Sequence, residues 1–342
     1  MSSNKPKKVI ISGYYGFNNF GDDAVLGVLV ESLKNEEIED ITVISKDPKN
    51  TRKNYKTKSV YYFDLFAVFF SMLRADVLFS GGGSLLQDVT SSKSLFYYLF
   101  IICLALISGK KVIIFAQGIG PIKNKYSRLI TKFILKKCTY VTVRDEKSLN
   151  LLKNWGISAE LVSDPVWNMH VSKRYSHNGI GIQLRKWDTL TDEIIDTLAK
   201  TIAEMFPKKK IFIYALQNSQ DKEKCLFLHA KLKEYTPESY IRVVINNSPS
   251  LISDSFSHLD EIIAMRYHAC LLGLKYGLKV LPVIYDPKVE NLADEFGLKN
   301  RIYLRDEKET ETAVRLLCSD NYEINDKPIP QFDFSLYTKF LK

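Results

Sequence analysis

The densest run of residues able to do chemistry is DEIIAMRYHACLLGLKYG, from Asp260 to Gly277. Its β-branched start predicts a strand over Glu261–Met265. The apolar pattern that follows predicts a helix over His268–Tyr276, ended by Gly277. Arg266 and His268 then fall on the strand-to-helix turn, facing a cleft. A fixed cation beside an imidazole at a helix N-terminus suits a phosphate or carboxylate. Histidine is also the side chain best placed to move a proton near neutral pH. A lone histidine is more often a hydrogen-bonded core residue, but the neighbouring Arg266 favours a functional reading. Arg185, in GIQLRKW, is a further cleft candidate with less support. His170, His177, His229 and His258 have no comparable setting.

The first half carries more of the same kind of signal. GYYGFNNFGDDA, Gly13 to Ala24, reads as a ligand loop with Asn19 and Asp23 reaching into the cleft; an acidic N-cap on a plain turn fits these residues equally. Gly81-Gly82-Gly83-Ser84 ends a strand, and its glycines allow backbone N–H groups to approach an anion at a helix start. It is neither a P-loop nor GxGxxG. Gln117 and Gly118 stand at another strand tip, before Gly120-Pro121, and are expected to line the cleft. Arg144 follows YVTV directly. It reads as a cleft guanidinium, the alternative being a salt bridge to Asp145 or Glu146. Asp164 ends a strand or caps the turn to Pro165.

The elements that must position these residues alternate along the chain, the signature of parallel-sheet α/β domains. Strands are expected at Lys8–Ser12, Ile41–Ser45, Asp76–Ser80, Lys111–Ala116, Tyr140–Val143 and Glu160–Val162. A second series covers Gly179–Leu184, Lys210–Leu216, Ile241–Ile245, Glu261–Met265 and Lys279–Ile284. The polar, aperiodic Ser163–Asn178 is placed as the hinge. This predicts a domain over 1–165 on the acceptor side, a second over 178–318 with the Arg266/His268 turn, and a tail over 319–342 that packs onto a domain. In open α/β sheets ligands bind beyond the carboxyl ends of the strands, where every candidate above lies.

Bulk properties narrow the class. The 342 residues carry a formal charge of +9, which favours anionic partners, but no block of like charge reads as a nucleic-acid arm. The five cysteines are far apart and form no CxxC pair, so neither a disulfide framework nor a zinc site is indicated. No metal-ligand cluster is seen. The basic N-terminus has too short an apolar run for a signal peptide. The most apolar stretch, Leu95–Ile107, has thirteen residues where a spanning helix needs about 20, so it is expected to be a buried helix. A cytoplasmic protein is expected.

Taken in order, GFNNFGDDA, FSGGGSLLQD, AQGIGP, VRDEKS, SDPVW and the RxHA of MRYHA resemble the polysaccharide pyruvyltransferase family. The likeness spans about Val9 to Leu298 and is nearest to the ketal-pyruvyltransferases that modify cell-wall polymers for surface-layer anchoring. The resemblance implies two Rossmann-like domains in a glycosyltransferase-B-like arrangement. It implies transfer of a pyruvyl group from phosphoenolpyruvate to two sugar hydroxyls, giving a cyclic ketal and phosphate, with no other cofactor. It assigns donor binding to Arg266, His268 and Arg144. Tyr267 departs from the family, where relatives often carry Leu. The acceptor in the family is often a lipid-linked oligosaccharide. The apolar segments Val60–Leu73 and Leu95–Ile107 could then rest on the inner face of the membrane, although core helices are the better expectation. Two other readings compete. A nucleotide-sugar glycosyltransferase of the same architecture has only Glu290 as an obvious ribose contact. A non-catalytic binder of anionic polymers would rest on charge alone. A dehydrogenase lacks its GxGxxG.

Overall fold

Short β-branched runs alternate with helices to build two parallel sheets, each in its own unit. The computed structural model describes residues 7–89, 91–174, 178–245, 248–319, 322 and 327–341; His177 lies outside them. One unit runs to Met169 and regains the chain at Pro330, and the other runs from His170 to Ile329.

The sheet of the first unit contains β1 (Val9–Ser12), β2 (Ile41–Ser45), β3 (Lys58–Tyr61), β4 (Val77–Gly81), β5 (Lys111–Gln117), β6 (Tyr140–Val143) and β7 (Glu160–Leu161), in the order β3-β2-β1-β4-β5-β6-β7. Helices α1 (Phe20–Asn35), α2 (Pro48–Tyr55), α3 (Leu65–Arg74), α4 (Ser92–Ile107), α5 (Lys125–Leu135) and α6 (Glu146–Asn154) connect them. All four residues of β1, VIIS, are buried, as expected of a central parallel strand covered on both faces. β1 pairs with β2 on one side and β4 on the other, with Val9 opposite both Ile41 and Val77. Chain order therefore reverses between β1 and β4, and this is the switch point where an open sheet leaves a crevice.

Two expectations fail here. Val60–Leu73 is not one core helix. It supplies the end of β3, a turn, and then α3, whose cap Asp64 accepts a hydrogen bond from the Ala67 N–H. Of α3 only Val68 and Met72 are buried. Leu95–Ile107 does form most of α4, but Phe96, Phe100 and Ile107 are exposed. A helix on an outer layer covers its sheet with one face only, so an apolar sequence all round leaves the other face in solvent. The returning segment packs on the same unit. The Tyr337 hydroxyl lies 2.8 Å from that of Thr142, and the Phe332 N–H donates to Asn168 at 2.8 Å.

The second unit repeats the plan with β8 (Gly179–Gln183), β9 (Lys210–Tyr214), β10 (Ile241–Val244), β11 (Glu261–Ala264) and β12 (Lys279–Pro282), ordered β10-β9-β8-β11-β12. Its helices are α7 (Asp192–Met205), α8 (Asn218–Tyr235), α9 (Pro249–Phe256), α10 (Tyr267–Lys275), α11 (Pro287–Glu295) and α12 (Glu307–Leu317). The switch point lies between β8 and β11, which pair with Gln183 opposite Ala264. Gly277, at φ +66°, ends α10 in the left-handed conformation that glycine adopts without steric cost.

Candidate active site

At the switch point of the second sheet, the residues after β8 and β11 form one hydrogen-bonded cluster. Arg266 is the N-cap of α10, and its backbone N–H donates to the Gln183 side-chain oxygen at 2.7 Å. Its guanidinium grips Asp221 on the first turn of α8 with two bonds, 2.7 Å from Nε and 2.5 Å from Nη2. The Asp221 carboxylate also accepts from the Gln217 N–H at 2.9 Å and the Gln183 amide at 3.1 Å. Asp221 is wholly buried, so these donors replace the water it loses. His268, the second residue of α10, is half-buried, with its ring edge-on to Tyr267.

Arg185 completes the cluster. Its guanidinium lies 4.9 Å from the Tyr285 ring centre and 5.6 Å from that of Trp187, and donates to the Tyr285 hydroxyl at 3.0 Å. Burial raises the Tyr285 pKa, and the nearby Arg185 and Arg266 charges oppose the rise. Two guanidiniums thus bear on one phenol. One of them is matched by Asp221, while no carboxylate pairs with Arg185 among the described residues. With the N-terminus of α10, this leaves a local excess of positive charge suited to an anion.

The loops of the first unit pack on one another at its own switch point. The Asn19 amide donates to Asp22, and Asp22 fills the space beside Gly83, where a Cβ would stand 2.2 Å from its oxygen. Gly82 and Gly83 both have positive φ, at 88° and 65°. Asp23 accepts from the Gly16 N–H at 3.5 Å, and burial followed by the Asp22 charge pushes its pKa up to about 7. A Cβ on Gly118 would stand 2.6 Å from the Ser84 hydroxyl, and the Gly118 N–H donates to the Gly83 carbonyl at 3.1 Å. Asn19, Asp22, Gly83, Ser84 and Gly118 are therefore brought together.

Gln117 departs from expectation. It is completely buried, and its amide donates to the Ser80 carbonyl at 2.7 Å, so it ties β5 to β4 instead of lining a cleft. Arg144 finds a partner further along the chain. It donates to Asp164 at 2.6 Å, in a bridge with side chains 8% and 1% exposed. Asp145 is occupied as the cap of α6, accepting from Ser148 at 2.8 Å. Asp164 also accepts from the Val166 N–H at 3.0 Å, which fixes the turn at Pro165.

Sequence reasoning missed Asp221, Gln183, Tyr285 and Asp22. An acid in the first turn of a helix reads as an ordinary complement to the helix dipole, so Asp221 carried no separate signal. Among the described residues, no three His, Cys, Asp or Glu side chains gather as a metal site would require.

The fold recurs in solved structures of low identity. UDP-GlcNAc 2-epimerase from Methanocaldococcus jannaschii aligns at TM-score 0.60 with 11% identity over 95% of both chains. MnaA of S. aureus, solved with UDP, aligns at 0.62 with 9% identity over 96% of this chain and 93% of its own. A glycosyltransferase from Rickettsia africae aligns at 0.52 with 11% identity over 94% and 95%. Such likeness shows the fold alone: two Rossmann-like units of the glycosyltransferase-B kind. No curated protein matches the chain. The model of the polysaccharide pyruvyl transferase family matches residues 19–287, from the Asn19 loop through β12, and the chain belongs to that family of pyruvyltransferase enzymes.

Proposed function

We propose that the enzyme transfers a pyruvyl group from phosphoenolpyruvate to two hydroxyls of a cell-envelope sugar, with the donor held at the switch point of the second unit. The observation that carries this reading is the pairing of Arg266 with buried Asp221 beside the unmatched Arg185. Asp221 fixes one guanidinium in place, and Arg185 supplies a cation whose charge is not already spent. Phosphoenolpyruvate brings a carboxylate and a phosphate, each able to take charge-assisted bonds from a guanidinium.

The chemistry asks for a proton and for charge stabilisation. The methylene carbon of the donor is protonated to a methyl group while a sugar oxygen bonds to the adjacent carbon. The carbon–oxygen bond to phosphate breaks, and the second hydroxyl closes the ketal. Of the two hydroxyl protons, one balances the new methyl group and the other leaves with phosphate. His268, at the start of α10, moves one of these protons. Arg266 and Arg185 stabilise the charge that gathers on the departing phosphate. The acceptor is a sugar of a cell-envelope glycan, carried on a lipid diphosphate, and the loops of Asn19, Asp23, Gly82 and Gly83 bind it. The reaction takes place in the cytoplasm.

The test is phosphate release from phosphoenolpyruvate by the purified chain with a panel of lipid-diphosphate-linked aminosugar disaccharides. Acceptor-dependent release, with the product gaining the mass of a pyruvyl ketal and His268→Ala abolishing both, is the expected result. Turnover of a nucleotide sugar, with no phosphate released from phosphoenolpyruvate under any acceptor, would overturn it.

A further inference from the structure

Helices α3, α4 and α5 cover one face of the first sheet, and the side they turn to solvent is apolar. Val68 and Met72 of α3, Leu95 to Ala105 of α4 and Ile134 and Leu135 of α5 share one core with Ile10, Leu78, Val112 and Ile114 of the strands. The opposite faces point outward, and they carry Phe66 and Phe70 on α3, Phe96 and Phe100 on α4, and Leu129 and Phe133 on α5. These six side chains are between 45% and 79% exposed. Three neighbouring stripes of this kind exceed the scattered apolar residues of an ordinary surface and mark an interaction face.

α5 buries Ile134 and Leu135 near its end, but over its first turns the apolar side faces outward. Tyr126, Leu129, Ile130 and Phe133, at helical spacing, face solvent, while Ser127 and Thr131 are buried on the sheet side. The Thr131 hydroxyl is satisfied there by the Ser127 carbonyl at 2.7 Å. Burial of a core does not require this arrangement, since exchanging the two faces would put the larger side chains inside.

Charge identifies what the face meets. Between Asp88 and Asp145 the chain has ten Lys and Arg residues and no Asp or Glu. Lys93 and Lys125 are exposed on α4 and α5 and Lys136 and Lys137 directly after α5, and no ion pair to any of the four is found among the described residues. Lys137 lies 5.0 Å from the Phe133 ring centre, so cation and apolar surface adjoin. An aromatic stripe rimmed by unpaired lysines complements an anionic lipid surface, where the rings enter the acyl boundary and the ammonium groups meet phosphate. No helix among the described residues is long and apolar enough to cross a membrane. We propose that the α3–α4–α5 face of the first unit seats the protein on an anionic lipid bilayer, lying on it without spanning it.

The inference stands apart from the reaction proposed above, and its test uses binding alone. The full chain is sedimented with vesicles of phosphatidylglycerol and phosphatidylcholine, and with vesicles of phosphatidylcholine only. It is expected to pellet with the anionic vesicles and to be released by salt. Lys125→Glu and Lys136→Glu should each weaken binding by about fivefold or more. Phe66→Ser with Phe133→Ser should abolish pelleting while leaving the circular dichroism unchanged, because both side chains are solvent-facing. Leu316→Ser, a change of an exposed apolar side chain on α12, should have no effect. Failure of the wild type to pellet with anionic vesicles overturns the proposal. So does a dimer in sedimentation equilibrium that Phe66→Ser with Phe133→Ser dissociates, because a second copy then covers the face.

Discussion

Arg266 and Asp221 stand 45 positions apart, and their side chains meet in a two-point bridge at 2.7 and 2.5 Å around a carboxylate with no solvent exposure. The pair joins the N-cap of α10 to the first turn of α8 across the strand tips, so the orientation of the Arg266 guanidinium depends on a residue from another βα unit.

Removing the buried acid leaves Arg266 without its counter-charge. Asp221→Ala should cost about 3–5 kcal/mol of stability, read by urea unfolding. Asp221→Leu combined with Arg266→Met should recover only part of that loss: the two apolar groups need no partner, but the Gln217 N–H and the Gln183 amide lose the acceptor that Asp221 gave them. The double variant should still fail to bind phosphoenolpyruvate, which separates the structural role of the pair from its role in binding.

Arg185 has the opposite balance, since its charge is not matched by a carboxylate. Arg185→Gln should leave the thermal midpoint nearly unchanged and raise KM for phosphoenolpyruvate about tenfold to a hundredfold, the worth of one charged hydrogen bond. Arg185→Lys should recover only part of this, because an ammonium cannot stack on Trp187 and Tyr285 as a planar guanidinium does. Steady-state kinetics over a donor titration decides it. A fall in kcat with KM unaltered would confine its role to the departing phosphate, and no change in either would place Arg185 outside the donor site.

The Asp23 carboxyl couples pH to stability. Its ordinary value is 3.8, and burial with the Asp22 charge raises it to about 7 in the folded chain. Below 3.8 the group is neutral in both states and its contribution is complete. As pH rises from there, the unfolded chain gains by ionising while the folded chain does not, and stability drains until about 7. The loss should reach up to about 4 kcal/mol across that window. Asp23→Asn should flatten the profile in urea unfolding measured at a series of pH values.

Gly83→Ala meets two obstacles. The residue sits at φ +65°, and its new methyl group would stand 2.2 Å from the Asp22 carboxylate. A loss of at least about 2 kcal/mol is expected in thermal unfolding. Adding Asp22→Ala should relieve the collision but not the backbone cost, so rescue should be partial. Complete rescue would mean that the left-handed backbone contributes nothing.

Much of this molecule is legible from the sequence because its signals are local. The alternation of short β-branched runs with periodic helices marks eleven of the strands, and the RxH after Glu261–Ala264 falls on a strand-to-helix turn whatever the sheet does around it. β3 was hidden in KSVY, which is short and adjoins the apolar run of α3. Which strand tips become neighbours is another matter. The orders β3-β2-β1-β4 and β9-β8-β11 follow from the paths of the crossovers, and they alone bring Gln183 and Asp221 to Arg266 or Asp22 to Gly83. The same holds for α5. A stripe at Tyr126, Leu129, Ile130 and Phe133 has the same period whether it faces the core or the solvent, and packing against the sheet, with Ser127 and Thr131 inward, settled which. Sequence determined the elements and the types of residue at their ends, because dihedral preference and periodicity are properties of neighbouring residues. Tertiary structure decided the partners and the outward face, because those depend on segments that meet only once the chain has folded.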